Sequence, residues 1–315
     1  MPTLPGLRLL PEYRHRVWGG QRLRPDPEPY GEAWIVYEED RIASGPEAGH
    51  TLAEVAETYG ADLLGQRAME RTGKRFPLLI KLLDTAEWLS LQVHPNDEQA
   101  ERLEGAGQFG KTEAWHILDA EPGAEVLCGL RPGTTPDAVA QAIRDGTIVD
   151  WMQHVPVRAG DTVFVRAGTI HALGPGLLLY EVQQTSDITY RVFDWNRPQS
   201  AGRALHIDQS MEVADPQAEG RAKPLPPVPD GGQVTLLTNP YFTLETLAGQ
   251  SHAVAMETGG QSFHALTVIE GEARVAGDGW TETLGRFETV VIPASSGSYE
   301  MQPIGRFRAL KASVE

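Results

Sequence analysis

Short apolar runs separated by glycine and proline constrain this 315-residue chain more than any other feature. Runs at 34–37, 162–165, 177–182 and 289–292 have the length of strands, and turn-forming residues lie between them. Glycine occurs 33 times and proline 23 times, spread over the whole chain. Many short strands joined by turns are typical of β-sandwiches and jelly rolls. The sequence therefore predicts an all-β dominated fold of the jelly-roll type.

A proline-rich stretch divides the chain into two predicted domains. Residues 215–232 combine proline, glycine and charge, which is typical of a linker. We predict a metal-binding catalytic domain over 1–220 with a few short helices inserted, a linker at 221–232, and a smaller β domain over 233–315. This second domain contains only two histidines and no cluster of ligand residues, so we expect it to be metal-free.

Three segments of the first domain have helical patterns. The segment 51–60 begins with a Thr cap followed three residues later by Glu54, and it closes on a glycine. A second helix is predicted to open at Thr135-Pro136, and a short third one covers 97–103.

Charge and cysteine content exclude several classes of protein. The 43 acidic and 27 basic residues give a net charge of −16, which argues against a general nucleic-acid binder. Cys128 is the single cysteine, so no intrachain disulfide can form, as is usual in a reducing cytosol. The N-terminus lacks a signal-peptide pattern, and no apolar run reaches 18 residues. We therefore predict a cytoplasmic protein that contacts neither membrane nor nucleic acid.

Two histidines, a glutamate and a glutamine form a candidate metal site. Gln92 and His94 are two residues apart in a strand-like run, so their side chains point to the same face. Glu113 lies downstream, and His171 follows a glycine turn. Imidazole and carboxylate groups suit zinc and other first-row divalent metals, although an amide oxygen is a less usual ligand. A single strand histidine is more often an ordinary polar residue, so the combination carries the prediction.

Residues 105–112 match the phosphate-loop pattern G-x-x-x-x-G-K-[ST], but their context argues against that function. A phosphate loop works between a strand and a helix, whose N-terminus binds the phosphates. Here a helical segment comes before the pattern and a strand-like segment follows it. We predict instead a flexible loop that delivers Lys111 beside the metal.

Six segments together resemble type I mannose-6-phosphate isomerase (phosphomannose isomerase), a family of zinc enzymes in the cupin superfamily, and especially its short bacterial form. Their order along the chain matches over about the first 210 residues. The segments are Arg16-Val17-Trp18-Gly19-Gly20, Gly31-Glu32-Ala33-Trp34, residues 91–97, Gly110-Lys111-Thr112-Glu113, residues 168–173 and residues 181–195. The resemblance implies two cupin-type jelly rolls.

The resemblance also implies roles for individual residues. The zinc ligands of one ion per chain would be Gln92, His94, Glu113 and His171. The active-site residues would be Lys111, Asp187 and Arg191. Longer family members often have a histidine immediately before the lysine, where this chain has Gly110. The role of that histidine is then absent here, or is supplied by His116 or a metal-bound water.

The implied reaction interconverts mannose 6-phosphate and fructose 6-phosphate through a cis-enediol. Arg191 suits an oxyanion or phosphate contact, and Lys111 a second cation or an acid/base. Asp187 is a candidate base or the residue that orients Arg191. The alternative is that Asp187 and Arg191 form a purely structural ion pair. Lys81 and Ser90 are candidates for the pocket lining. The sequence leaves open the general base, and whether the chain is a monomer or a homodimer.

Three other functions remain as alternatives. A redox cupin using iron or manganese would usually carry an H-x-H pattern, and this chain has Q-x-H. A sugar-phosphate sensor without turnover would keep the pocket and lose the chemistry. An isomerase of another sugar would keep both.

Overall fold

Strands dominate the computed structural model, which describes residues 4–198 and 203–314. Most are short and alternate with turns, as the sequence predicts, and they form three antiparallel sheets. The strands are β1 (Leu7–Arg8), β2 (Glu12–Gly20), β3 (Tyr30–Val36), β4 (Leu78–Thr85), β5 (Leu91–Val93), β6 (Glu113–Ala120), β7 (Glu125–Leu130), β8 (Met152–Pro156), β9 (Thr162–Val165), β10 (His171–Leu173), β11 (Leu177–Gln184), β12 (Tyr190–Phe193), β13 (Ala222–Lys223), β14 (Gly232–Thr238), β15 (Thr243–Gly249), β16 (Val254–Glu257), β17 (His264–Gly277), β18 (Trp280–Leu284), β19 (Thr289–Ile292) and β20 (Ser298–Ser313). The all-β dominated fold is confirmed.

The chain forms two compact units, and each is discontinuous in sequence. One comprises Met1–Glu12, Trp34–Ile80 and Leu225–Glu315, and the other comprises Tyr13–Ala33 and Lys81–Pro224. The change at 224/225 falls within the predicted linker 221–232. Residues 1–12 and 34–80, however, lie outside the unit that contains the rest of the predicted 1–220 domain. Long-range pairing explains this difference, because β1 pairs with β19 through Leu7 and Val291.

The unit containing Lys81–Pro224 is built on two sheets. One has the strand order β12-β5-β10-β7-β8, and the other has the order β13-β9-β6-β11-β4-β2-β3. Inward-facing apolar residues of β6, β7, β9, β10 and β11 form a shared core that includes Trp115 and Cys128. Cys128 is fully buried, and this burial raises the pKa of its thiol to about 12.

The unit containing Leu225–Glu315 is built on one sheet of eight strands, in the order β1-β19-β17-β20-β15-β14, with β16 on β20 and β18 on β17. The pairing of the long strands β17 and β20 shifts register beside Gly271. Gly271 has φ 72°, and a Cβ there would lie 1.9 Å from the carbonyl oxygen of Arg306. Only glycine allows the two strands to approach this closely.

Helices occupy the connections between strands. They are α1 (Leu52–Tyr59), α2 (Ala61–Leu64), α3 (Gln66–Thr72), α4 (Asp97–Glu104), α5 (Pro136–Asp145) and α6 (Ile207–Val213). The three predicted helices are confirmed, and a capping box between Thr51 and Glu54 starts α1. Three were not predicted, because α2, α3 and α6 have seven residues or fewer. In the described part of the chain, no helix has the length and apolar character needed to cross a membrane.

Candidate active site

A cavity of about 420 Å³ opens in the unit containing Lys81–Pro224. This volume lies in the range of small-molecule sites. Six residues predicted for the site line it, together with eleven others. The lining residues are Arg16, Trp18, Glu32, Lys81, Leu83, Leu89, Ser90, Gln92, Lys111, Trp115, Leu173, Glu181, Asp187, Thr189, Arg191, Arg203 and His206.

Strand β5 organises one wall of this cavity. Leu91 and Val93 are buried in an apolar cluster with residues of α5 and α6, so Gln92 between them points to the opposite face and lines the cavity. Gln92 pairs in register with His171 of β10 on one side and with Arg191 of β12 on the other. His171 is 79 positions and Arg191 is 99 positions away from Gln92 in the sequence. Only the pairing of the strands brings them together in this wall.

His94, Glu113 and His171 form a fully buried cluster between the two sheets. The Nε2 atom of His94 lies 3.6 Å from Oε2 of Glu113, and Nε2 of His171 lies 3.3 Å from Oε1. Tetrahedral zinc with ligand distances of about 2.0–2.2 Å would separate its ligand atoms by about 3.4 Å. The three side chains therefore have the spacing of a metal site.

Hydrogen bonds determine which nitrogen atoms of the two histidines carry a lone pair towards the cluster. The Nδ1 atoms of His94 and His171 each lie 2.8 Å from a backbone carbonyl oxygen, of Ile188 and Thr169 respectively. A carbonyl only accepts, so Nδ1 carries the proton and Nε2 presents a lone pair. Within the described residues, His94 Nε2 and both oxygens of Glu113 have no hydrogen-bond partner. Buried lone pairs that face one another unsatisfied fit a cation.

Burial keeps both histidines neutral at physiological pH. Desolvation is the largest influence on each, and it holds the pKa of His94 well below its usual value. The pKa of His171 falls to about 4 for the same reason. Neutral imidazole is the form that binds metal, so protons compete little for this site near pH 7.

Gln92 lies beside this cluster. Its side-chain nitrogen is 3.2 Å from Nε2 of His171. A half-turn of the amide exchanges nitrogen and oxygen, and it would turn the oxygen towards the same space. The fourth predicted ligand is therefore adjacent to His171.

Lys111 is a buried cation held by carboxylates. Its Nζ atom lies 3.3 Å from Oε2 of Glu113. Burial alone would lower the pKa of Lys111, but Glu113, Glu181 and Asp187 together raise it above its usual value. The protein groups around Lys111 therefore favour its charged ammonium form.

Lys81 lies on the cavity wall in a second buried ion pair. Its Nζ donates to Oε1 of Gln183 at 2.9 Å and lies 3.3 Å from Oε1 of Glu181. Glu181 also accepts from Nε1 of Trp115 at 3.1 Å. Burial, and then the charge of Glu113, raise the pKa of Glu181. Asp187, with 63% of its side chain exposed, lies 4.0 Å from Lys81 rather than in an ion pair with Arg191.

Arg191 differs from the other cations of the cavity. Arg16, Lys81, Lys111 and Arg203 each contact a carboxylate, respectively Glu32, Glu181, Glu113 and Asp194. Among the described residues, Arg191 has no carboxylate within 4.0 Å, and its buried Nε has no hydrogen-bond partner. Its Nη1 donates to the carbonyl of Ala204 at 3.0 Å. The guanidinium is free to bind an anion in the cavity.

The backbone explains why glycine stands before Lys111. A Cβ on Gly110 would lie 2.5 Å from the backbone carbon of Asn96, which caps α4. No side chain fits there without a shift of the chain. His116 does not substitute for a histidine at this position, because it faces away from the cavity and contacts Oγ1 of Thr162 at 2.9 Å. That suggested role for His116 is wrong.

The loop at 105–112 is not a phosphate loop. Gly105 ends α4, and the loop leads into β6 rather than into a helix N-terminus. The loop brings Lys111 beside Glu113 of the His94–Glu113–His171 cluster.

Several cavity residues were not predicted. Arg16, Glu32 and Glu181 lie in segments that resemble the isomerase family, so a residue-by-residue reading of those segments would have found them. Arg203 and His206 lie outside any such segment. Both residues follow β12 in the sequence, and only the tertiary structure places them at the cavity.

Comparisons with known proteins identify the family of this chain. Residues 7–150 match the family model of the type I phosphomannose isomerase catalytic domain. Mannose-6-phosphate isomerase ManA of Bacillus subtilis is 32% identical, over 93% of this chain and 94% of that protein. The crystal structure of the mannose 6-phosphate isomerase from Bacillus subtilis superimposes with a TM-score of 0.85 at 28% identity, covering 98% of this chain and 99% of that one. A zinc-bound mannose 6-phosphate isomerase shares the fold, with a TM-score of 0.77 at 17% identity, 98% of this chain and 99% of that chain being covered. The chain therefore belongs to the type I phosphomannose isomerase family.

Proposed function

We propose that this protein is a zinc-dependent aldose-ketose isomerase that interconverts mannose 6-phosphate and fructose 6-phosphate. One observation carries the proposal: a buried His–Glu–His cluster adjoins a cavity whose Arg191 has no carboxylate partner among the described residues. Relatives that match over nearly the full chain are named mannose-6-phosphate isomerase, which supports this substrate.

One zinc ion per chain would be held by Gln92, His94, Glu113 and His171. The spacing and the lone pairs of the last three support this set. When bound, zinc supplies a Lewis acid for substrate oxygens that gain negative charge.

The reaction moves a proton between C1 and C2 of the sugar through a cis-enediol. Arg191 would bind the phosphate or a developing oxyanion, since its Nε and one terminal nitrogen are available. Lys111 would act as a second cation, because the neighbouring carboxylates keep it charged. Lys81 and Ser90 would complete the substrate-binding wall.

Asp187 is the carboxylate that we propose to carry the proton. Glu32 is held by two hydrogen bonds from Arg16, Glu181 is held by Lys81 and Trp115, and Glu113 belongs to the metal cluster. Asp187 lines the cavity with only a 4.0 Å contact to Lys81. It is therefore the pocket carboxylate most available to a substrate proton.

We infer a cytoplasmic enzyme that acts on a small sugar phosphate, as a monomer or a homodimer, without nucleic-acid or membrane partners. The net charge of −16 and the single buried cysteine support this setting.

The first test is a coupled assay of fructose 6-phosphate formation from mannose 6-phosphate, before and after chelation. We expect turnover that is lost on chelation and restored by zinc. In Arg191→Ala we expect kcat/KM to fall by about a hundredfold or more, with zinc content unchanged, because a charged hydrogen-bonding partner of the substrate is removed. A folded, zinc-loaded protein that binds mannose 6-phosphate without turnover would instead be a sugar-phosphate sensor.

A further inference from the structure

His206 is joined to Arg191 by two hydrogen bonds. The backbone N–H of His206 donates to the carbonyl of Arg191 at 2.8 Å. The backbone N–H of Arg191 donates to Nδ1 of His206 at 3.1 Å. A backbone N–H can only donate, so Nδ1 must be the acceptor and the neutral imidazole carries its proton on Nε2. The fold thus selects one tautomer of this side chain.

His206 also belongs to the lining of the cavity. His206 lines it together with Arg191 and Arg203, and Nε2 has no hydrogen-bond partner among the described residues. Burial, and then the charge of Arg191, lower the pKa of His206, so the ring is neutral at physiological pH. The ring therefore offers a fixed N–H donor beside a guanidinium that has no carboxylate partner in the part of the chain that the structure describes.

Neighbouring groups leave this donor available. The nearby carboxylate of Glu104 accepts from the hydroxyl of Tyr190 at 2.7 Å. Arg203 binds both oxygens of Asp194 through Nε and Nη2, at 2.6 and 2.8 Å, and Arg197 shares this carboxylate. An anion entering this part of the cavity would therefore meet the His206 N–H together with the guanidinium groups of Arg191 and Arg203.

We propose that His206 is a substrate-binding residue whose Nε2–H donates to a phosphate oxygen of the sugar phosphate bound by Arg191. This rests on the proposed function. The phosphate has only acceptor oxygens, so a neutral N–H adds a directional bond to the charge of Arg191. The histidine also discriminates for the phosphorylated end of the sugar, because an unphosphorylated sugar has no anion at that point.

Substitution of His206 by Asn or by Gln distinguishes the role of Nδ1 from the role of Nε2. In His206→Asn, the side-chain oxygen can still accept from the Arg191 N–H, but the donor at the position of Nε2 is lost. In His206→Gln, the longer side chain brings an amide N–H close to the position of Nε2. We expect KM for mannose 6-phosphate to rise by about tenfold to a hundredfold in His206→Asn, with kcat changed only a few-fold. His206→Gln should recover part of this loss.

Inorganic phosphate is the probe that assigns the contact. Its dissociation constant, measured by calorimetry on the zinc-loaded protein, should rise in parallel with KM in His206→Asn and less in His206→Gln. Zinc content and melting temperature of the variants should match those of the unsubstituted protein. If His206 had a purely structural role, its substitution would change these two quantities. Unchanged phosphate affinity in both variants would overturn the proposal, whatever happens to KM. Phosphate binding can be measured without turnover. An inactive protein would therefore contradict the proposed isomerase function, while the phosphate measurement would still test the contact with His206.

Discussion

Glu113 is the only formally anionic residue in the candidate metal cluster, because both histidines are neutral and Gln92 is an amide. In Glu113→Gln the cluster loses its negative charge while its volume is almost unchanged. We expect zinc affinity and kcat/KM each to fall by about a hundredfold or more. Zinc per chain after dialysis against a weak chelator measures the first effect, and the coupled assay measures the second.

Glu181→Gln is the matched control for this change. Glu181 is also a buried glutamate of the same unit, but it pairs with Lys81 and Trp115 rather than with the histidines. We expect this variant to keep its zinc. Equal zinc loss in both variants would mean that general destabilisation, and not ligation, explains the effect of Glu113→Gln.

At the scale of elements, the loop between α4 and β6 sets the position of Lys111. Gly110 N–H donates to Oδ1 of Asp97 at 2.8 Å, and the N–H of Lys111 donates to the carbonyl of Pro95 at 3.0 Å. In Gly110→Ala the new methyl group would collide with the backbone of Asn96. We expect the loop to move and kcat/KM to fall by about tenfold to a hundredfold, because a displaced cation no longer fits the substrate.

Gly285→Ala provides the comparison for Gly110→Ala. A Cβ on Gly285 would meet nothing closer than 3.7 Å, and its backbone does not need a positive φ. Activity close to that of the unsubstituted chain is expected here. A similar loss in both variants would remove the close approach of α4 as the explanation.

Local patterns predicted some of these elements, and long-range register supplied the rest. The strand β5 and the capped helices α1 and α5 depend on neighbours in sequence, so the sequence was sufficient to predict them. The contact between His206 and Arg191 depends on how the chain returns after β12. No local periodicity encodes that return, and Arg203 and His206 were missed for this reason.

At the scale of the whole molecule, each of the two units contains at least one buried histidine whose pKa is lowered by burial, so we expect both units to respond to acid. His264 belongs to the unit without the metal cluster, and its Nδ1 lies 2.6 Å from the hydroxyl of Tyr299. Burial, and then the charge of Lys311, lower the pKa of His264 to about 3. In the unfolded chain this histidine would titrate near the ordinary value of about 6.5.

The sign of the resulting pH dependence follows from proton binding. Between pH 6.5 and 3 the unfolded state holds the extra proton, so this histidine makes the folded state less stable as the pH falls. Its contribution has a slope of about 1.4 kcal/mol per pH unit. Urea unfolding at pH 7 and pH 5, in the presence of a chelator, should show a smaller pH dependence in His264→Gln than in the unsubstituted chain.

His252→Gln is the control for the pH measurement. His252 lies in the same unit, but 75% of its side chain is exposed. We expect this variant to keep most of the original pH dependence of the unfolding free energy. If His264→Gln kept the whole pH dependence of the unfolding free energy, His264 would be protonated in the folded state as readily as in the unfolded chain.

The predicted domain boundaries show what a one-dimensional pattern omits at this scale. The chain passes from one compact unit to the other at 224/225, which lies within the predicted linker 221–232. Nothing in the composition of 1–12 or 34–80 signals that these segments join the unit formed by Leu225–Glu315. That assignment depends on contacts such as the ring pair Phe76–Phe263, whose centroids are 4.5 Å apart. Pairs so distant in sequence leave no local signal.

The paired charges around the cavity also have a consequence for the order of ligand binding. Four cations are compensated by their own carboxylates, and the remaining charges of Arg191 and Asp187 are opposite in sign. The protein wall is thus close to electroneutral by itself. A divalent metal adds two positive charges, and a phosphate monoester near pH 7 brings about −1.5 to −2. Metal and sugar phosphate would act as counterions for each other, so we expect each to bind more tightly in the presence of the other.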